Sequence, residues 1–266
     1  MLCFKHSKFF SVVSQKDKTR GMNLTNILID LSERGLIPDF LIRIGIRNLC
    51  RKRLAQCQVQ DCENNAELAE NYLRTVDLSP MAVQTDKANE QHYEVPASFY
   101  EKILGKNLKY SCCHYENGVI DLSIAEERAL ELTCEHADLT NHQSILELGC
   151  GWGSLSLWMA ARYPHSEITS ISNSRSQREH ILALAKKRNL TNLEVITEDV
   201  NAFNTEDTFD RVVSVEMFEH VRNHRKLFKK INGWLKTDGK LFTHVFCHRS
   251  TSYPFEIEGE DDWMSR

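Results

Sequence analysis

The apolar positions of this chain recur first at helical spacing and then in short runs broken by helical stretches. Leu24, Ile27, Leu28 and Leu31 fall at i, i+3, i+4 and i+7, one buried stripe of a helix. Gly35 and Pro38 punctuate it: glycine accepts the left-handed turn that ends a helix, and proline opens the next one well. The following helix carries Arg43, Arg47 and Arg51 at four-residue spacing, then Lys52 and Arg53. Such a stripe suits either an anionic lipid surface or a solvated face. Asp61, Glu63, Glu67 and Glu70 then reverse the sign and are available to pair with it. Residues 22–84 are thus expected to form an N-terminal helical region, behind a basic, disordered extension over residues 1–21.

From about residue 142 the pattern changes. Short β-prone runs rich in Ile, Leu and Val occur at 144–149, 167–172, 193–198, 209–215 and 240–247. Helical patterns lie between them at 154–163, 175–188 and 222–236. Strands alternating with helices imply right-handed βαβ units and a parallel sheet covered on both faces. The fold class expected is α/β, a Rossmann-like, doubly wound parallel sheet preceded by helices.

Composition changes this picture little. The 266 residues are 41% hydrophobic and 26% charged, and the net charge of −4 gives no electrostatic reason to bind nucleic acid. No apolar stretch is long enough to span a bilayer; the run from Phe40 to Ile46 is short and carries Arg43. The nine cysteines are odd in number and irregularly spaced, without paired C-x-x-C knuckles. That favours reduced thiols in the cytoplasm, and no metal is expected.

In a doubly wound sheet the ligand sits beyond the carboxyl ends of the strands, where the strand order reverses. The first strand runs into Glu147-Leu148-Gly149-Cys150-Gly151-Trp152-Gly153, and Ser154 then opens a helix whose N-terminus favours an anionic group. The spacing E-x-G-x-G-x-G lacks the extra residue of the dinucleotide fingerprint G-x-G-x-x-G. It suits a cofactor bearing a carboxylate and an ammonium rather than a pyrophosphate, with Glu147 on the ammonium side. The second strand ends in Ser172-Asn173-Ser174, where the usual ribose-binding carboxylate is absent. Ser172, Asn173 and Gln177 can take that role through hydroxyl and amide groups. At the third strand's end Asp199, beside Val200, is either an acceptor for the adenine amine or the cap of the next turn.

These runs resemble the cyclopropane-fatty-acyl-phospholipid synthase superfamily of S-adenosylmethionine (SAM)-dependent enzymes, and within it the coclaurine N-methyltransferase-like branch. The resemblance is carried by Asn89-Glu90-Gln91-His92-Tyr93-Glu94-Val95-Pro96, Leu108-Lys109-Tyr110-Ser111-Cys112-Cys113, the Leu146–Gly153 run, Ile171-Ser172-Asn173-Ser174 and Glu216-Met217-Phe218-Glu219-His220. Phe246-Cys247-His248 and Asp261-Asp262-Trp263-Met264 extend it. It covers residues 85–266, which are expected to form the methyltransferase domain. It implies SAM as cofactor, with Tyr110 and Ser111 covering it, Gly149, Gly151 and Gly153 at its methionine end, Ser172 and Gln177 at the ribose, and Asp199 at adenine.

Methyl transfer from a sulfonium is an in-line displacement followed by loss of a proton, so it needs positioning and a base. The resemblance implies Glu219 and His220 as the acid/base pair of the amine branch. In the lipid branch it implies Cys112, Glu219 and His244 as holders of a bicarbonate. Glu216 favours the amine branch, because the lipid enzymes carry glycine there. The expected partner is a small-molecule amine or an unsaturated lipid, with at most peripheral membrane contact and a homodimer as an available assembly. The resemblance also implies further helices and strands beyond Arg266, so that the fifth strand is left as an edge and this chain alone turns over weakly. A SAM-binding protein without catalysis is the alternative from another class.

Overall fold

A computed structural model describes residues 24–57, 62–82 and 96–247. The basic extension at 1–21, the run 89–95, His248 and the run 261–264 lie outside the described residues. The chain divides into two compact units, one containing α1 (Leu24–Glu33) and α2 (Asp39–Cys57), the other formed by residues 67–252.

In the first unit the punctuation acts as its chemistry requires. Gly35 takes φ +69°, and its N–H donates to the Ser32 carbonyl while Leu36 N–H reaches Leu31, closing α1. The carbonyl of Pro38 then accepts from Leu41 and Ile42 at the start of α2.

The second unit carries the sheet. Its strands are β1 (Ser144–Leu148), β2 (Glu167–Ser172), β3 (Leu193–Thr197), β4 (Phe209–Val215) and β5 (Leu235–His244). All neighbouring pairs are parallel, in the order β3-β2-β1-β4-β5. The chain winds outward from β1 to β3, returns to the other side for β4 and continues to β5. The reversal therefore falls between β1 and β4, which is where such sheets open a crevice. The pairing of β4 with β5 slips from Phe209↔Leu235 to Arg211↔Lys240, so β5 begins earlier than its apolar run suggests. The extra residues Lys236, Thr237 and Asp238 are polar and leave no periodic signal.

Alternation along the strands divides the core. Leu146, Leu148, Ile171 and Val212 face α8 (His224–Trp234), packing on Leu227, Ile231 and Trp234. Ile145, Ile168 and Val213 face the opposite side, against Leu155 and Met159 of α6 (Ser154–Arg162) and Leu130 and Cys134 of α5 (Leu122–His136). Ile181 and Ala185 of α7 (Arg175–Lys187) pack with Leu157 and Val195. The C-terminal end of α3 (Cys62–Leu78) is tied to the start of α8. Asn223 Nδ2 donates to the carbonyls of Asp77 and Ser79, and Arg225 pairs with Asp77 at 3.0 Å. No described helix is long and apolar enough to cross a membrane.

Two helices, α4 (Ala97–Ile103) and α5, lie where the apolar pattern predicts no element. The reason in α5 is its buried face, which includes Glu126 and Thr133 beside Ala125, Leu130 and Cys134. A carboxylate and a hydroxyl on the inward stripe hide the helical period that burial follows.

Candidate active site at the exits of β1 and β4

The turn after β1 is built from three left-handed glycines, with φ +80° at Gly149, +51° at Gly151 and +82° at Gly153. A β-carbon on Gly149 would sit 2.6 Å from Met217 Cγ, and one on Gly153 2.5 Å from Ile181 Cγ1. At Gly151 it would meet nothing within 4 Å, so that backbone faces open space. Gly149 and Gly153 thus serve close packing, while Gly151 leaves the crest of the turn bare for a ligand.

Glu147 lies below this turn, 3% exposed, on the strand face that looks at α6. Ser170 Oγ donates to its Oε2 at 2.8 Å, and Ser156 Oγ of α6 makes a short hydrogen bond to the same oxygen. Burial pushes its pKa up to about 6, with the two serine hydroxyls acting in the opposite direction. Through Ser156 the carboxylate ties β1 to the helix that follows the glycines.

At the exit of β2, Ser172 Oγ donates to Gln177 Oε1 at 2.7 Å and accepts from Ser174 N–H at 3.0 Å. Ser174 caps α7, its hydroxyl accepting from Gln177 N–H. Asn173 sits between these two serines. Gln177 is 2% exposed, and its Nε2 has no hydrogen-bond partner within the protein. The same holds for Trp152 Nε1 and Ser154 Oγ, both on the glycine turn and the start of α6. Buried donors are rarely left unpaired, so three of them around one turn mark a site shaped for a polar ligand. Hydroxyl and carboxylate acceptors of the ribose and methionine kind fit that donor set. At the exit of β3, Asp199 Oδ1 accepts from Asn201 N–H at 2.7 Å while its carbonyl accepts from Ala202 and Phe203, so it caps this turn. Val200 beside it packs against the core.

The segment before α5 covers the turn. Tyr110 packs edge-on against Tyr100 at 5.0 Å between centroids, and Tyr100 lies 5.0 Å from the ring of Trp152. Its backbone is held by a residue the apolar pattern does not single out. Glu126, fully buried, accepts through Oε1 from the N–H groups of Gly105 (2.8 Å) and Lys109 (3.1 Å), and through Oε2 from Asn107 (2.8 Å). The Lys109 ammonium, itself buried, donates to Ser111 Oγ and to the Cys112 carbonyl at 2.7 Å. Burial lowers its pKa, opposed by the charges of Cys112, Cys113, Glu216 and Glu126. Lys109 and Glu126 therefore shape the loop that presents Tyr110, Ser111 and Cys112. A cue for the pair was Gly105, where any β-carbon would meet the Glu126 carboxylate at 2.6 Å.

Across the crevice, β4 is followed by Glu216, at φ +52°, and by a short 3-10 turn, Phe218–His220. The structure brings Cys112 and His244 together with Glu216: Cys112 Sγ lies 3.8 Å from His244 Nε2, and Cys112 N–H donates to Glu216 Oε1 at 3.3 Å. Burial and then the Glu216 carboxylate push the Cys112 thiol up. Glu219 is held elsewhere, its Oε1 accepting from the N–H of Phe246, while its buried Oε2 has no partner. His220, next along the turn, is exposed. The crevice thus has unpaired donors on the β1–β2 side and carboxylates, an imidazole and a thiol on the β4–β5 side.

The sequence profile of the mycolic acid cyclopropane synthetase family matches residues 82–266. An (S)-coclaurine N-methyltransferase of Thalictrum flavum subsp. glaucum is 39% identical over 239 residues, covering 90% of this chain and 66% of that protein. This chain therefore spans about two thirds of that relative's length. The cyclopropane-fatty-acyl-phospholipid synthase of Escherichia coli K12 is 27% identical over 179 residues, 66% of this chain and 44% of that protein. Among solved structures, coclaurine N-methyltransferase bound to N-methylheliamine and SAH superposes with a TM-score of 0.85 at 34% identity, over 90% of this chain and 69% of that one. A cyclopropane synthase from Mycobacterium tuberculosis, at 24% identity and a TM-score of 0.57 over 63% of this chain and 58% of that one, shares the fold.

Proposed function

The chain belongs to the mycolic acid cyclopropane synthetase family, and from that membership we propose that it transfers a methyl group from S-adenosylmethionine to the nitrogen of a small-molecule amine. Glu216 carries this reading. A glutamate with φ +52° pays about 1–2 kcal/mol of backbone strain that glycine avoids, and the lipid-branch pattern has glycine at this position. A carboxylate kept there against strain suits a cationic amine. The 39% identity to an alkaloid N-methyltransferase supports the same choice.

SAM supplies a methyl group on a sulfonium, and this chain's residues supply the rest. We assign Gly149, Gly151 and Gly153, with Glu147 beneath them, to the methionine end. Ser172, Asn173 and Gln177 are assigned to the ribose, Asp199 and Val200 to the adenine, and Tyr110 with Ser111 to the cover. Glu219 and His220 form the acid/base pair that takes the proton from the amine, the free Oε2 of Glu219 being an available acceptor. Cys112 and His244 line the acceptor side. Residues 85–266 act as the catalytic domain, after a helical region over 22–84 and an extension over 1–21. The cytoplasm is the expected compartment, a reading supported by the free thiols of Cys50, Cys112, Cys113, Cys134, Cys150 and Cys247. A homodimer and at most peripheral membrane contact complete the reading.

Radiolabelled SAM offered separately with benzylisoquinoline-type amines and with unsaturated phospholipid vesicles tests the acceptor. Label in the amine supports the reading. Label only in lipid, with dependence on bicarbonate, would transfer the chain to the lipid branch. Binding of SAH without label in either acceptor would leave a SAM-binding protein.

A further inference from the structure

Three side chains from separate segments converge on the acceptor side of the crevice. One ligand atom from each of Cys112, Glu216 and His244 lies within 4.8 Å of the other two. The backbone holds them in register: Cys112 N–H donates to Glu216 Oε1 at 3.3 Å, and Glu216 N–H donates to the His244 carbonyl at 2.8 Å. Neighbouring Cys113 points away, its thiol directed to the Ser111 carbonyl.

The spacing suits a metal ion. Tetrahedral zinc, with Zn–S of about 2.3 Å and Zn–N of about 2.0–2.1 Å, holds sulfur and nitrogen about 3.6 Å apart. Cys112 Sγ and His244 Nε2 are 3.8 Å apart. Bringing the carboxylate to the same centre takes side-chain movement on the order of 1 Å, within rotamer adjustment. Thiolate, imidazole and carboxylate together select zinc-like ions over magnesium, and three protein ligands leave a fourth position open.

We propose that Cys112, Glu216 and His244 form a binding site for a thiophilic divalent cation such as Zn2+, and that its occupancy closes the acceptor side to a cationic amine. On binding, the Cys112 S–H bond breaks, a sulfur–metal bond forms and the proton passes to solvent. The dication then takes the Glu216 carboxylate as ligand and repels a positively charged acceptor. The blocking effect rests on the amine reading above, whereas the metal site stands on its own geometry.

Cobalt(II) is the direct probe. The reduced, chelator-treated 266-residue protein, titrated with Co2+ alone, is expected to develop a thiolate-to-cobalt charge-transfer band that saturates at one ion per chain. Zn2+ bleaches the band and Mg2+ does not. C112S removes it and C113S retains it. E216Q and H244N weaken affinity by roughly tenfold or more, since even outer-shell partners of a metal are worth that much. The two latter variants carry the test if C112S does not fold. Absence of the band in the wild type, or its persistence unchanged in C112S or in both other variants, overturns the proposal. SAH calorimetry on the same samples separates the two ideas: a protein that binds SAH but no cobalt refutes the metal site alone.

Discussion

Replacing Glu147 by glutamine should flatten a pH dependence that this one carboxyl imposes on the sheet. In the folded chain its pKa rises from 4.5 to about 6 because it is buried between β1, β2 and α6. The folded state therefore binds this proton more tightly than the unfolded state. The resulting stability is fully present below about pH 4.5 and is lost as pH rises through about 6. At 1.36 kcal/mol per decade the whole effect is about 2 kcal/mol, of which about 1.3 kcal/mol falls between pH 5 and pH 8. The group is wholly buried, so solvent screening removes little of this. Urea unfolding of wild type and E147Q at both pH values isolates the term, since other carboxyls cancel in the difference. The wild type should lose about 1.3 kcal/mol relative to E147Q on going from pH 5 to pH 8. A difference that stays constant across that range refutes the reasoning. Saturating SAH should shrink the effect if the cofactor's ammonium faces Glu147, because a nearby cation favours the carboxylate.

Glu126→Gln turns one of three buried N–H···O contacts into a donor facing a donor; it should destabilise the chain by about 2 kcal/mol, the scale of a hydrogen bond to a charged acceptor. It should also weaken SAH binding in calorimetry, and unchanged affinity would remove the loop from the cofactor site. Glu216→Gly relieves the left-handed strain, so stability in urea should rise by about 1 kcal/mol while label transfer to amines falls. Unchanged amine transfer in that variant would count against the carboxylate's role.

The sheet was legible because its strands are doubly covered and rich in Ile, Leu and Val, so the runs at 144–149, 167–172, 193–198 and 209–215 end within a residue of β1 to β4. The glycine spacing marked a turn of three left-handed glycines, and Ser172, Gln177 and Asp199, read from the strand ends, lie at the exits of β2 and β3, where Asp199 caps its turn. Other features were hidden for physical reasons. Glu126 looks like any helical surface carboxylate until its three backbone donors, 17 to 21 residues earlier, are in place. Lys109 reads as a charged residue to be solvated, and its burial depends on a carbonyl and a hydroxyl on its own loop. That Cys112 meets Glu216 rather than Glu219 follows from a left-handed residue whose φ no apolar pattern encodes.

The reversal of strand order between β1 and β4 separates the two stretches of chain to which the proposed function assigns cofactor and acceptor. In the proposed function, residues from β1 to the exit of β3 serve the cofactor end, and those from β4 to the exit of β5, with Cys112, serve the acceptor. The seam between them is a single strand pair, reinforced where Ser214 Oγ donates to the Leu148 carbonyl at 2.9 Å. On that assignment, substitutions beyond β4 can alter the acceptor side without touching the residues assigned to the cofactor. The freedom stops at Met217, whose side chain fills the space above Gly149 and so transmits any change of bulk straight into the glycine turn.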